Sequence, residues 1–124
     1  MKISLAANSS PEPAAVVSKA VVRAADFLGM TQRQLGRVVG LSEASTSRLV
    51  GGKFQLSPDR PKEWELALLF VRLFRSLDAI WGHEARTWMH SPNTALGAAP
   101  IEVATQITGL VRIVDYLDAA RGRV

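Results

Sequence analysis

The chain has 124 residues, close to half of them apolar, enough for one compact core or two small helical units that share one. It contains no cysteine, which excludes disulfides, thiol catalysis and cysteine-held zinc and is compatible with a reducing compartment. The formal charge of +4 resides entirely in the first half. Residues 1–60 carry eight Lys/Arg against four Asp/Glu, and residues 61–124 carry seven of each sign. That is the footprint of a chain whose first half meets phosphate and whose second half meets protein.

Residues 1–13 read as a flexible arm, because Asn-Ser-Ser-Pro-Glu-Pro is turn and breaker chemistry. Their single lysine and short apolar run do not make a secretory signal. No apolar stretch in the chain approaches membrane-spanning length, so the expectation is a cytoplasmic protein without a membrane partner. β-branched alternation is scarce and Gly and Pro fall between helical periods, so the predicted class is all-α.

The first helix is expected over residues 14–28, with Val17, Ala20, Val21, Ala24, Phe27 and Leu28 on one face and Gly29 at its end. Residues 31–53, TQRQLGRVVGLSEASTSRLVGGK, then give two short helices. Thr31 is an N-cap with Gln34 completing a capping box, and Leu35, Val38 and Val39 form a buried face. Gly40 supplies the left-handed C-cap and Ser42 caps the second helix, anchored by Thr46, Leu49 and Val50 and stopped at Gly51-Gly52. A helix, a glycine turn and a second capped helix is the helix-turn-helix signature.

The second of these helices exposes Ser42, Glu43, Ala44, Ser45, Ser47 and Arg48. Small hydroxylic residues beginning at an N-cap allow close approach to a major groove. Backbone amides there favour phosphate, and Arg48 can reach a guanine edge or a phosphate.

Phe54 and Leu56 are expected to close the small core, and Ser-Pro-Asp-Arg-Pro at 57–61 marks a junction. The domain division is therefore 1–13 arm, 14–60 helix-turn-helix and 61–124 long helix with a C-terminal domain. The long helix, 62–81, is apolar on most sides, so it either bridges both halves or forms a dimer interface. Trp64, Leu68, Phe70, Phe74 and Leu77 are the dimerisation candidates. After Gly82 a short helix over 83–89 should turn Trp88 and Met89 inward. A turn-rich loop follows over 91–100, then a helix opened by Pro100 that Gly109 kinks or divides, then a small, basic, frayed end at 119–124.

No catalytic constellation is present. His83-Glu84 lacks the second histidine of a zinc-protease helix, and His83 and His90 lack a carboxylate cluster at metal-site spacing. Phe54 after Gly52-Lys53 rules out a phosphate loop, and Ser42, Ser45 and Ser47 have no histidine partner in sequence reach. The chain is expected not to be an enzyme and to carry no metal and no cofactor.

Residues 31–53 resemble the Xre/Cro-type helix-turn-helix. The resemblance implies phosphate contacts at Gln32 and Lys53 and base-facing positions at Ser42, Glu43, Ala44 and Arg48. It also implies that Gly36 lets the two helices cross closely. From Trp81 onward the chain resembles the toxin-binding domain of Xre/MbcA/ParS antitoxins, through Ala85-Arg86, Trp88-Met89, Pro92-Asn93, Ala95-Leu96-Gly97, Pro100, Thr108-Gly109, Val114 and Leu117.

This likeness implies a dimeric antitoxin that binds a RES-domain, NAD-consuming toxin and represses its own operon at operator DNA. It implies toxin contacts at Arg86, Pro92, Asn93 and Leu96, with Arg121 and Arg123 blocking the toxin's NAD site. The competing reading is a dimeric Xre-type transcriptional repressor with no toxin partner.

Overall fold

The computed structural model describes residues 12–122. Most of the arm, residues 1–11, and Arg123 of the basic end lie outside the described residues. The described residues form helices joined by turns and loops, with no strand among them, in agreement with the all-α expectation.

Helix α1 (Pro13–Phe27) opens on proline, whose missing N–H is no loss at the first helical position, and ends before Gly29 at φ +68°. Helix α2 (Gln32–Val39) starts on the expected capping box. The Thr31 hydroxyl accepts from the Gln34 amide at 3.1 Å, and the Gln34 side-chain oxygen accepts from the Thr31 amide at 2.9 Å. Gly40, at φ +77°, turns the chain out of α2. The Ser42 hydroxyl then accepts from the Ser45 amide at 3.1 Å and starts α3 (Glu43–Val50).

Helix α4 (Pro61–Trp81) is the spine of the molecule. One part of its surface lies against α1 and α2, and another lies against α7 (Ile107–Gly122) and α5 (Ala85–His90). A 3-10 turn at Gly82–Glu84 joins α4 to α5, and the short α6 (Pro100–Val103) precedes α7. One continuous core runs from Val21, Leu28, Leu35 and Leu56 across Phe70 and Leu77 to Met89, Leu110 and Ile113. Of the two roles open to the long helix, the bridge is what the packing displays.

That bridging corrects part of the dimerisation set. Phe70 and Leu77 are fully buried in the chain's own core and have no surface to offer a second copy. Leu68 is exposed, and Trp64 and Phe74 are half-buried.

Three other expectations shift. The last helical segment divides at residues 104–106, not at Gly109, as turn-type bonds from the Thr105 and Gln106 amides to Glu102 and Val103 end α6. Gly109 lies buried inside α7, where a Cβ would fall onto the Val103 carbonyl oxygen, so its glycine serves close approach rather than a kink. The C-terminal segment stays helical through Gly122 instead of fraying at 119. Met89 points inward as expected, but Trp88 is only half-buried and Trp81 is exposed.

Candidate functional site

The helix-turn-helix is built around one close crossing. A Cβ on Gly36 would lie 2.7 Å from the Thr46 hydroxyl oxygen and 3.1 Å from the Leu41 carbonyl oxygen, so only glycine lets α2 and α3 meet here. Thr46 is fully buried, and its hydroxyl donates to the Ser42 carbonyl at 2.7 Å, which satisfies the one polar atom that the crossing hides.

With Thr46 and Leu49 turned inward, the opposite face of α3 is left free. Ser42, Glu43, Ala44, Ser47 and Arg48 are exposed and Ser45 is half-exposed. Arg48 folds back along this face, its Nη2 donating to the Ser45 hydroxyl at 3.3 Å. The guanidinium is thereby held one turn nearer the helix N-terminus, the end that a recognition helix presents to base edges.

Gln32 lies exposed in the first turn of α2, and Lys53 lies exposed beyond Gly52, whose φ of +77° turns the chain away from α3. Arg33 and Arg37 on α2 are exposed as well. Among the described residues none of these cations forms an ion pair, the pairs being Arg60–Glu63 and Arg72–Asp118. Gln34 is occupied by the capping box, which assigns it to the fold rather than to a ligand.

The C-terminal candidates separate into surface and scaffold. Pro92 is exposed. Asn93 is half-buried, and its side-chain oxygen accepts from the Leu96 amide at 3.2 Å while its backbone carbonyl accepts from Gly97 at 2.9 Å. Asn93 therefore shapes the loop from within, in the manner of an Asx turn. Leu96 is buried and anchors the loop to the core.

Arg86 is exposed as a residue, yet its guanidinium lies where a Cβ on Gly29 would be, so it packs across the α1–α2 corner. Arg121 occupies the last turn of α7, and its Nη1 donates to the hydroxyl of buried Ser76 at 3.1 Å. It is part of the folded helix end, not of a free tail.

Sequence reasoning missed Arg112. Its Nη2 donates to the Ala95 carbonyl at 3.3 Å and staples the 91–99 loop to α7. A partner seventeen residues away leaves no local signal. His90 is also explained by packing: its Nε2 lies 2.9 Å from the Leu28 carbonyl.

The sequence model of the Antitoxin Xre-like helix-turn-helix domain matches residues 8–72, just over half of the chain. The chain belongs to the Xre-like antitoxins. A second match, to the Antitoxin Xre/MbcA/ParS C-terminal toxin-binding domain, covers residues 76–123 of the antitoxin. The two matches meet inside α4, the helix against which both halves pack, whereas the division read from sequence at 60 and 61 falls at its start. No curated protein matches the antitoxin sequence. Neither matched family is an enzyme family. No helix among the described residues is long and apolar enough to cross a membrane.

Proposed function

We propose that this antitoxin binds and inhibits a RES-domain toxin that consumes NAD, and that it represses its own operon by binding operator DNA as a homodimer in the cytoplasm. The observation that carries the reading is the pairing of two units on one spine. A unit whose α1 and α2 pack on one part of α4 carries the capped α3 with its open, cation-flanked face, and the segment matching a toxin-binding domain packs on another part.

In this reading Ser42, Glu43, Ala44, Ser45, Ser47 and Arg48 face the major groove, and Gln32 and Lys53 hold phosphates on either side. Phosphate contacts fix register, and the Arg48 fork supplies base discrimination. A dimer would present two such helices to two half-sites one helical turn apart. Leu68, exposed on α4, with half-buried Trp64 and Phe74, is the part of the predicted dimer set with surface to offer.

Toxin contact is assigned to Arg86, to Pro92 and Asn93 of the loop, and to Arg121 and Arg123. A toxin that degrades NAD needs acceptors near the ribose, and guanidinium groups complement these through charge-assisted hydrogen bonds. Arg121 is tied to Ser76 through Nη1, and giving up that bond to reach a toxin costs about 0.5–1.5 kcal/mol. Leu96 acts indirectly, by holding the loop in shape.

The test is titration of the full-length antitoxin into a purified RES-domain toxin while NAD turnover is followed. Stoichiometric loss of turnover is expected. Undiminished turnover at saturating antitoxin would remove the toxin from the account and leave a dimeric repressor.

A further inference from the structure

Three aromatic rings from three separate helices form one stack. Trp81 ends α4, Trp88 lies in α5 and Tyr116 lies in α7. The centroids of Trp81 and Trp88 are 6.5 Å apart and those of Trp88 and Tyr116 are 6.3 Å apart, with 22° between the planes in both pairs. The middle ring is half-buried, while the outer two keep 42% and 41% of their surface open. A single exposed aromatic needs no explanation. Three rings aligned across three elements, with both ends left open, form a built surface.

We propose that this ladder is the anchor by which the C-terminal domain docks its toxin, a contact set in the folded helices that acts alongside the contacts assigned above to Arg121 and Arg123. The proposal rests on the toxin-binding reading above. All three rings lie inside residues 76–123, the segment that matches the toxin-binding domain, whereas exposed Leu68 lies in the helix-turn-helix match. Trp, Tyr and Arg dominate the energetics of protein interfaces. Arg112 lies one helical turn before Tyr116 on the same side of α7, and among the described residues it has no carboxylate partner.

The surface thus offers flat apolar rings bordered by an oriented cation. Its complement is a protein pocket that is apolar at its floor and carries carboxylate or carbonyl acceptors at its rim. Trp88, half-buried between its neighbours, fixes the tilt of the outer rings, so little side-chain entropy is lost on docking.

The test measures the affinity of full-length Trp81→Ala, Tyr116→Ala and the double variant for the purified RES-domain toxin of the titration above, with Val16→Ala, an exposed apolar side chain on α1, as control. Operator binding and thermal midpoint report on folding. The ladder predicts that each single variant binds about tenfold or more weakly, that the double variant binds weaker still, and that Val16→Ala binds as the parent does.

Labelling the unmutated antitoxin with 5-fluorotryptophan avoids reliance on the variants. Its three tryptophans give three fluorine resonances, and those of Trp81 and Trp88 should shift on adding unlabelled toxin while that of Trp64 stays. Parent-like affinity in the double variant, or a shift confined to Trp64, would overturn the ladder while leaving the toxin reading intact. Unchanged toxin affinity with loss of self-association would overturn it in favour of a second copy. No binding by the parent chain would overturn the toxin reading, and the ladder proposal with it.

Discussion

The Nε2 of His90 lies 2.9 Å from the carbonyl oxygen of Leu28, so a side chain of α5 satisfies a backbone acceptor at the end of α1. The last carbonyls of a helix have no partner within it, and the Nε2–H of His90 donates to one of them across 62 residues of sequence. Beside it the Arg86 guanidinium packs over Gly29. The two matched domains are thus pinned together at the α1 corner as well as along α4. Replacing His90 with alanine should cost about 1 kcal/mol. In urea unfolding the midpoint should fall with an unchanged slope, and an unchanged midpoint would show the bond to be idle.

Gly36 and Gly109 are needed for space and Gly52 for its backbone angle, and alanine should separate the two causes. Gly36→Ala and Gly109→Ala each set a Cβ against a fixed neighbour, the Thr46 hydroxyl with the Leu41 carbonyl in one case and the Val103 carbonyl in the other. Each should lose about 1–3 kcal/mol. Gly52→Ala meets no atom within 4 Å but must hold φ near +77°, at a cost of about 1–2 kcal/mol. Thermal melts should place Gly109→Ala lowest, because its Cβ would fall onto a backbone carbonyl oxygen.

Ser76 holds Arg121 on the helix bundle. If Arg121 must be released to block the toxin, Ser76→Ala should free it and make the antitoxin a more potent inhibitor, by about two- to tenfold from the loss of one hydrogen bond. The midpoint of inhibition in the NAD-turnover assay reads this directly. Weaker inhibition by a variant that folds normally would show that the docked Arg121 is the active form.

Salt should weaken operator binding steeply, since each Lys/Arg–phosphate contact releases counterions. Lys53→Ala should lower affinity for specific and random DNA alike and flatten the salt slope by about one unit. Arg48→Ala should cost about 1–3 kcal/mol on the operator and much less on random DNA. Fluorescence anisotropy at several salt concentrations distinguishes these two patterns.

The helix-turn-helix was legible because its determinants are local. Thr31 with Gln34, Gly40 and Ser42 act within four residues, and each occupies the role that its chemistry dictates. The C-terminal half was legible in outline, through breakers and a resemblance, but not in its contacts. Gly109 looked like a break because a glycine in a helical pattern usually weakens it. Its actual neighbour, the Val103 carbonyl, belongs to the preceding short helix and is set by tertiary packing.

The long helix hid a different ambiguity. A helix apolar on most sides must be covered, but the pattern does not name the cover. Phe70 and Leu77 are covered by the chain itself, and Leu68 is not. The aromatic ladder was hidden because its members lie seven and twenty-eight residues apart, on helices whose docking no periodicity reveals.

The central claim is a division of labour between α3 and the C-terminal domain. The most direct test expresses Arg48→Ala together with the RES-domain toxin and reads operator occupancy and cellular NAD in the same culture. The account predicts lost operator occupancy with NAD preserved at the level given by the parent antitoxin. Equal loss of both would contradict it and make DNA binding and toxin inhibition properties of one shared surface.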